Sequence, residues 1–66
     1  MREKEFSIGD LVETGVYIFG ERIPMSKGRI TSIHSGYCKV DIMSLHGGAP
    51  WIVDENIWSL KKVVEH

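Results

Sequence analysis

One cysteine, two prolines, six aromatic side chains and no apolar run longer than four residues: much of this 66-residue chain is defined by what it does without. A lone cysteine excludes an internal disulfide framework, so no covalent staple holds the fold and a reducing compartment is the default setting. No stretch approaches the ~20 apolar residues that span a bilayer. The opening Met-Arg-Glu-Lys-Glu alternates charge and leads into no apolar core, which does not fit a signal peptide and makes the cytoplasm the expected location. Neither sign of charge prevails, with eight basic against nine acidic side chains and a formal net charge of -1. That balance argues against a partner whose main feature is a phosphate backbone, because such affinity comes largely from lysine and arginine. A 3.6-residue apolar period never persists for three turns, which excludes an all-helical fold. Internal repeats and low-complexity tracts are also missing.

What is present is an apolar fraction of 42 %, enough for one folded domain over residues 1–66 with residues 1–5 as a charged tail. A core of a dozen or so side chains is all that this length allows. A twisted, closed sheet suits such a chain, because closure removes the edges that a small open sheet leaves unpaired. The apolar segments are short and bounded by turn residues, as strands are. Phe6-Ser-Ile-Gly-Asp-Leu-Val12 opens the series, with Phe6 and Ile8 as lids on one end of the core and Gly9-Asp10 as a turn. Val16-Tyr-Ile-Phe19, between Gly15 and Gly20, reads as a short strand or as the apolar anchor of a long loop. Residues 20–27 contain glycine and proline and lack alternation, so they read as loop, with Ile23 and Met25 packed down.

Gly28-Arg-Ile-Thr-Ser-Ile33 and Cys38-Lys-Val-Asp-Ile42 form the clearest hairpin, and its register can be weighed on paper. A two-residue Ser35-Gly36 loop pairs Ile33 with Cys38 and leaves Arg29 on the same side as Ile42. A turn over 34–36 ending in left-handed Gly36 instead sets Ile33 against Tyr37, Ser32 against Cys38, Ile30 against Val40 and Gly28 against Ile42. Arg29 then meets Asp41 and Thr31 meets Lys39 on the outer face. The second register separates apolar from charged residues and adds an opposite-charge pair, so it is the expected one. It places Ile33 and Tyr37 outward at the hairpin tip. Residues 44–50, with Gly47-Gly48 and Pro50, read as a loop. Trp51, Val53 and Ile57 read as inward. Asp54 to Ile57 reads as one helical turn capped by Asp54, and Leu60 to Val64 as the closing strand.

These segments together resemble the SH3-like barrel group. They are Gly9-Asp-Leu-Val12, a long excursion, Gly28-Arg-Ile-Thr-Ser-Ile33, a glycine turn, Lys39-Val-Asp-Ile42, Trp51-Ile-Val53 and Asn56-Ile-Trp-Ser-Leu60. They are similar to small barrels of the KOW and ribosomal-protein kind and to small accessory subunits of photosynthetic and redox complexes. The resemblance implies a five-stranded all-β barrel with a one-turn 3₁₀ helix before the last strand, and a general tendency to bind RNA, DNA or protein. It is a pattern of spacing over about 58 residues and transfers no site. The loop after the first strand lacks the acidic-aromatic composition with which SH3 domains hold proline-rich peptides. Gly28-Arg29-Ile30 also falls short of the glycine-centred basic motif of a KOW element.

Chemistry-bearing clusters are sparse. His34, Cys38 and His46 are too few and too divergent for a zinc site, and Cys38 reads as a small buried apolar residue. Ser35 beside His34 has no carboxylate to complete a nucleophilic arrangement. Gly47-Gly48 lacks the lysine-serine pair and strand–helix setting of a phosphate loop. The chain therefore reads as no enzyme, with no metal and no cofactor. The aromatics exceed what so small a core holds. Protein-contact candidates are Ile33, Tyr37, Tyr17, Phe19 and Trp58, serving a protein partner or a second copy of the chain. The alternative is a nucleic-acid module using Lys27, Arg29 and Lys39 beside Tyr37. Near-neutral charge and surplus aromatics favour the protein contact, and no membrane partner is expected.

Overall fold

The computed structural model describes residues 5–63. Its elements are β1 (Leu11–Ile18), β2 (Glu21–His34), β3 (Tyr37–Asp41), a 3₁₀ turn η1 (Ser44–His46), β4 (Ile52–Asn56), a second 3₁₀ turn η2 (Ile57–Ser59) and β5 (Lys61–Lys62). They make one five-stranded antiparallel sheet in the order β4-β3-β2-β1-β5. β1 to β4 form a meander, and β5 returns to pair with β1. The sheet is open: β4 and β5 are its two edges, and among the described residues no ladder joins them. The 3₁₀ turn and Leu60 nevertheless link those edges. Four strand spacings would separate the edges of a flat sheet by about 19 Å, whereas a 3₁₀ turn rises only about 2 Å per residue. The sheet must therefore curl. Among the described residues no helix is long and apolar enough to cross a membrane.

The core lies inside that curl. Val12, Ile30, Cys38, Val40 and Leu60 are buried, with Phe6, Ile42 and Val53 packed against them. Every strand except β4 either carries or adjoins one of the five buried residues, and β4 supplies Val53. Thr14 is the one buried polar side chain among the described residues, and its hydroxyl is shared with the backbone and hydroxyl of Ser26. Gly28 sits where β2 presses closest on β3. A Cβ there would run into the Asp41 carbonyl and the Val40 side chain, so the crossing requires the missing methyl.

The central hairpin contains parts of both registers. Arg29↔Asp41 and Ile30↔Val40 pair as expected, but toward the tip Ser32 pairs with Lys39, Ile33 with Cys38 and His34 with Tyr37. Thr31 is the extra residue of a β-bulge, and it converts one register into the other within a single strand. The turn is thus the two-residue Ser35-Gly36 loop, with Gly36 at φ 83°. Ile33 and Tyr37 do not face each other. Residues directly opposite in a ladder share a face, so Ile33 lies on the Cys38 side and Tyr37 on the His34 side.

Residues 20–27 are not loop. Beyond the turn residue Gly20 they form the first half of a fourteen-residue β2, paired with β1 through Ile18↔Glu21, Tyr17↔Arg22, Val16↔Ile23 and Gly15↔Pro24. Phe19 and Gly20 make the hairpin's two-residue turn, both at positive φ (50° and 82°), the conformation that matches strand twist. Among the described residues this half of β2 pairs with β1 alone, the edge setting in which a sheet accepts Pro24. Ile23 and Met25 are exposed rather than packed down, because among the described residues no further strand pairs with this projecting half of the hairpin.

Other expectations shift by a residue or two. Ile8 is exposed, so of the two proposed lids only Phe6 packs. Trp51 is 60 % exposed. It has the same alternation as the inward Val53 but lies beyond Asp41↔Ile52, the last pair of the β3–β4 ladder. Asp54 caps nothing and pairs with Lys39 from within β4; the cap of η2 is Asn56, whose Oδ1 accepts from Trp58 N at 2.8 Å. Ile57 is half-buried. Val64 of the expected closing strand and residues 1–4 of the charged tail lie outside the described residues.

Candidate functional site

The turn η2 is tied to two other parts of the molecule. Ile57 N donates to Gly36 O at 3.1 Å, tying it to the β2–β3 turn. Tyr17 Oη donates to Trp58 O at 3.2 Å, and Arg22 Nε donates to Ser59 O at 3.2 Å, tying it to the projecting β1–β2 hairpin. Period-two alternation and the Tyr17↔Arg22 pairing put both side chains on one face of that hairpin. Arg22 is held further by Glu13, donating to its carboxylate at 2.9 Å and to its carbonyl at 2.8 Å. Gly15 makes room for this, since a Cβ there would lie 2.9 Å from the guanidinium carbon. The Arg22 hydrogen bond, followed by the fields of Arg22, Lys61 and Lys27, holds the Glu13 carboxyl below its usual value against the opposing effect of desolvation. The hairpin is thereby fixed at its base while its end remains bare.

That bare end is apolar. Val16, Ile18 and Ile23 share the hairpin's other face, and Phe19 at the tip is fully exposed. Tyr17 and Trp58 are each more than half exposed beside η2. Tyr37 lies across the ladder from Asn56, the residue that caps η2. Three candidate contact residues, Tyr17, Tyr37 and Trp58, are therefore arranged around one 3₁₀ turn, with Phe19 at the end of the arm that carries Tyr17. Ile33 stands apart on the Cys38 side. Ile18, Ile23 and Met25 belong to the exposed apolar set as well. Their sequence signal was the alternation Val16-x-Ile18 and Ile23-x-Met25, obscured by reading Gly20 and Pro24 as breakers.

Pairing and alternation put Lys27, Arg29 and Lys39 on one face of the sheet, but two of the three are engaged there. Lys39 donates to Asp54 Oδ1 at 2.8 Å, which raises the lysine pKa. Arg29 is opposite Asp41 and donates to Gly9 O at 3.1 Å. Lys27 falls instead beside Lys61 and Lys62, two lysines the sequence reading did not connect with it. His34 stacks on Tyr37 with ring centroids 4.7 Å apart and hydrogen-bonds Ser32. Cys38 is buried, which raises its thiol pKa, while His46 sits in η1. Among the described residues no three His, Cys, Asp or Glu side chains are placed to share a metal ion.

Two carboxylates have structural settings of their own. Asp41 Oδ1 accepts from Met43 N and Ser44 N at 3.1 Å and from Trp51 N at 3.4 Å, organising both ends of the β3–β4 connection. Hydrogen bonds, those from Ser44 foremost, pull its pKa down to about 2. Glu55 pairs across from Cys38 and so faces the inner side of the sheet, where burial raises its pKa.

Comparison of the chain with protein-family models, with curated proteins and with solved structures finds no match.

Proposed function

We propose that this chain is a non-enzymatic binding or accessory module of the SH3-like kind, which contacts a protein partner or a second copy of itself through the hairpin end and η2. One observation carries the reading. Among the described residues, fourteen large apolar side chains are exposed while five hydrophobic residues form the buried core, and the exposed set includes five of the six aromatics. Scattered single exposures need no explanation, but contiguous apolar surface marks contact sites. Here Val16, Ile18 and Ile23 share one face of a hairpin with Phe19 at its tip, and Tyr17 lies on the opposite face toward η2. The meander and the 3₁₀ turn before β5 support the SH3-like comparison, whereas the expected excursion after the first strand is replaced by a tight hairpin. The lone, buried thiol accords with a reducing, cytoplasmic setting.

The alternative nucleic-acid surface loses support from the pairing of Lys39 with Asp54 and of Arg29 with Gly9 O, which engages two of its three cations. Sedimentation equilibrium from micromolar to millimolar protein tests the proposal, with Tyr37→Ala, Trp58→Ser and Lys39→Glu variants and an oligonucleotide titration near 0.15 M salt. Self-association that weakens on losing either aromatic and ignores Lys39→Glu supports it. A strict monomer that binds oligonucleotide at micromolar concentration, with loss on Lys39→Glu, reverses the assignment in favour of nucleic acid.

A further inference from the structure

A second feature lies on β1, β2 and β5 and does not depend on the apolar hairpin. Glu13 is opposite Lys27 on one side and opposite Lys61 on the other, so the ladder sets lysine, glutamate and lysine in a row across three strands on one face. Lys27, Lys61, Lys62, Glu13 and Val63 line a cleft of about 310 Å³. The glutamate between the lysines is committed to Arg22, which also holds the Glu13 and Ser59 carbonyls. Lys62 is 3.6 Å from Asp10 and passes over the Phe6 ring. Among the described residues Lys27 and Lys61 form no ion pair. Arg22, Lys27, Lys61 and Lys62 stand, among the described residues, against Asp10 and Glu13, a local excess of two positive charges in a chain of net charge -1.

We propose that this cleft binds a small phosphate-class oxyanion, inorganic phosphate or a phosphomonoester, between the ammonium groups of Lys27 and Lys61. Two strand spacings put their Cα atoms about 10 Å apart, and their flexible four-carbon stems allow both to close on one anion as point charges. Glu13 accepts its side-chain hydrogen bond from Arg22, so Lys27 and Lys61 act on it only through their fields and keep their ammonium hydrogens for the ligand. The row also explains why Lys27 differs from Lys39: both are strand lysines opposite a carboxylate, but the carboxylate facing Lys39 belongs to Lys39 alone.

The contrasting explanation is that Lys61 and Lys62 only guard a short sheet edge against pairing with other chains. Titrating inorganic phosphate into the ¹⁵N-labelled full chain at low ionic strength separates the two. The expected result is saturable amide shifts confined to residues 13, 27 and 61–63. Lys27→Gln and Lys61→Gln should each weaken the affinity about fivefold, the effect of one unit charge at ~4 Å in water, with thermal melting preserved. Shifts that do not saturate, that appear equally around Lys39, or that survive both substitutions would overturn the site. A twelve-nucleotide single strand serves as the second probe. If it binds far more tightly than phosphate and perturbs Arg29 and Lys39 as well, the feature is part of a polyanion surface and the small-anion proposal fails.

Discussion

Replacing Phe19 by asparagine should make this protein more stable while making it a poorer binder. Phe19 occupies the first central position of the β1–β2 turn at φ 50°, and its side chain is fully exposed. Left-handed backbone costs an ordinary L-residue roughly 1–2 kcal/mol, a cost that asparagine largely avoids. With the phenyl ring in solvent, its removal sacrifices almost no packing. The net gain should be about 1 kcal/mol, worth about 4–8 °C in Tm for a domain of this size. Urea titration should show a higher midpoint at an unchanged slope, since the surface exposed on unfolding hardly alters. If Phe19 is the anchor of a contact, the same change should weaken association by about 2 kcal/mol or more, roughly thirtyfold. A variant of equal or lower stability would refute the reasoning, because it would mean that the ring is packed in solution or that the turn is not left-handed.

Gly28→Ala should destabilise by more than about 2 kcal/mol, seen as a large fall in urea midpoint, because its Cβ meets backbone and a core valine rather than a yielding side chain. Asp41→Asn should flatten the acid limb of the stability profile. The Asp41 pKa falls from an ordinary 3.8 to about 2 on folding, so its contribution is present above 3.8 and is lost as pH falls toward 2. Melts from pH 2 to 6 should therefore converge for the two proteins at the acid end; parallel curves would exclude Asp41 as the anchor. The Cys38 thiol should react with a neutral disulfide reagent only slowly at pH 8, because it is buried and its pKa is raised. Labelling at the rate of a free peptide thiol would show that the core opens readily.

Much of the architecture was legible because short strands between glycines leave few ways to bury Val12, Ile30 and Val40. The Arg29↔Asp41 and Ile30↔Val40 pairs follow from charge and burial together. The tip did not, since a bulge at Thr31 has no residue signature and either register taken alone is self-consistent. Residues 20–27 misled for a different reason. Proline and glycine usually end strands, and only the absence of a second neighbour over this half of β2 makes Pro24 acceptable there. Asn56 and Asp54 are both good capping residues; the cap falls to Asn56 because the β3 ladder keeps the chain extended through residue 56. The grouping of Tyr17, Tyr37 and Trp58 depends on backbone hydrogen bonds to η2, and that of Lys27 with Lys61 depends on β5 lying beside β1. Both are properties of topology, which local sequence does not encode.

The placement of β5 has a kinetic meaning. The β1–β2, β2–β3 and β3–β4 pairings join neighbours along the chain, but Val12↔Lys62 joins residues 50 apart, and Leu60, just ahead of β5, completes the core. Closing a loop of that length costs about 3.5 kcal/mol beyond the constant term, before any contact compensates. The meander can form early as nearest-neighbour hairpins, yet it lacks one of its five buried side chains until β5 docks. Folding should therefore be limited by that late, long-range step, and hydrogen exchange at Val63 N, bonded to Leu11 O, should report the opening of the whole domain rather than the fraying of a local strand.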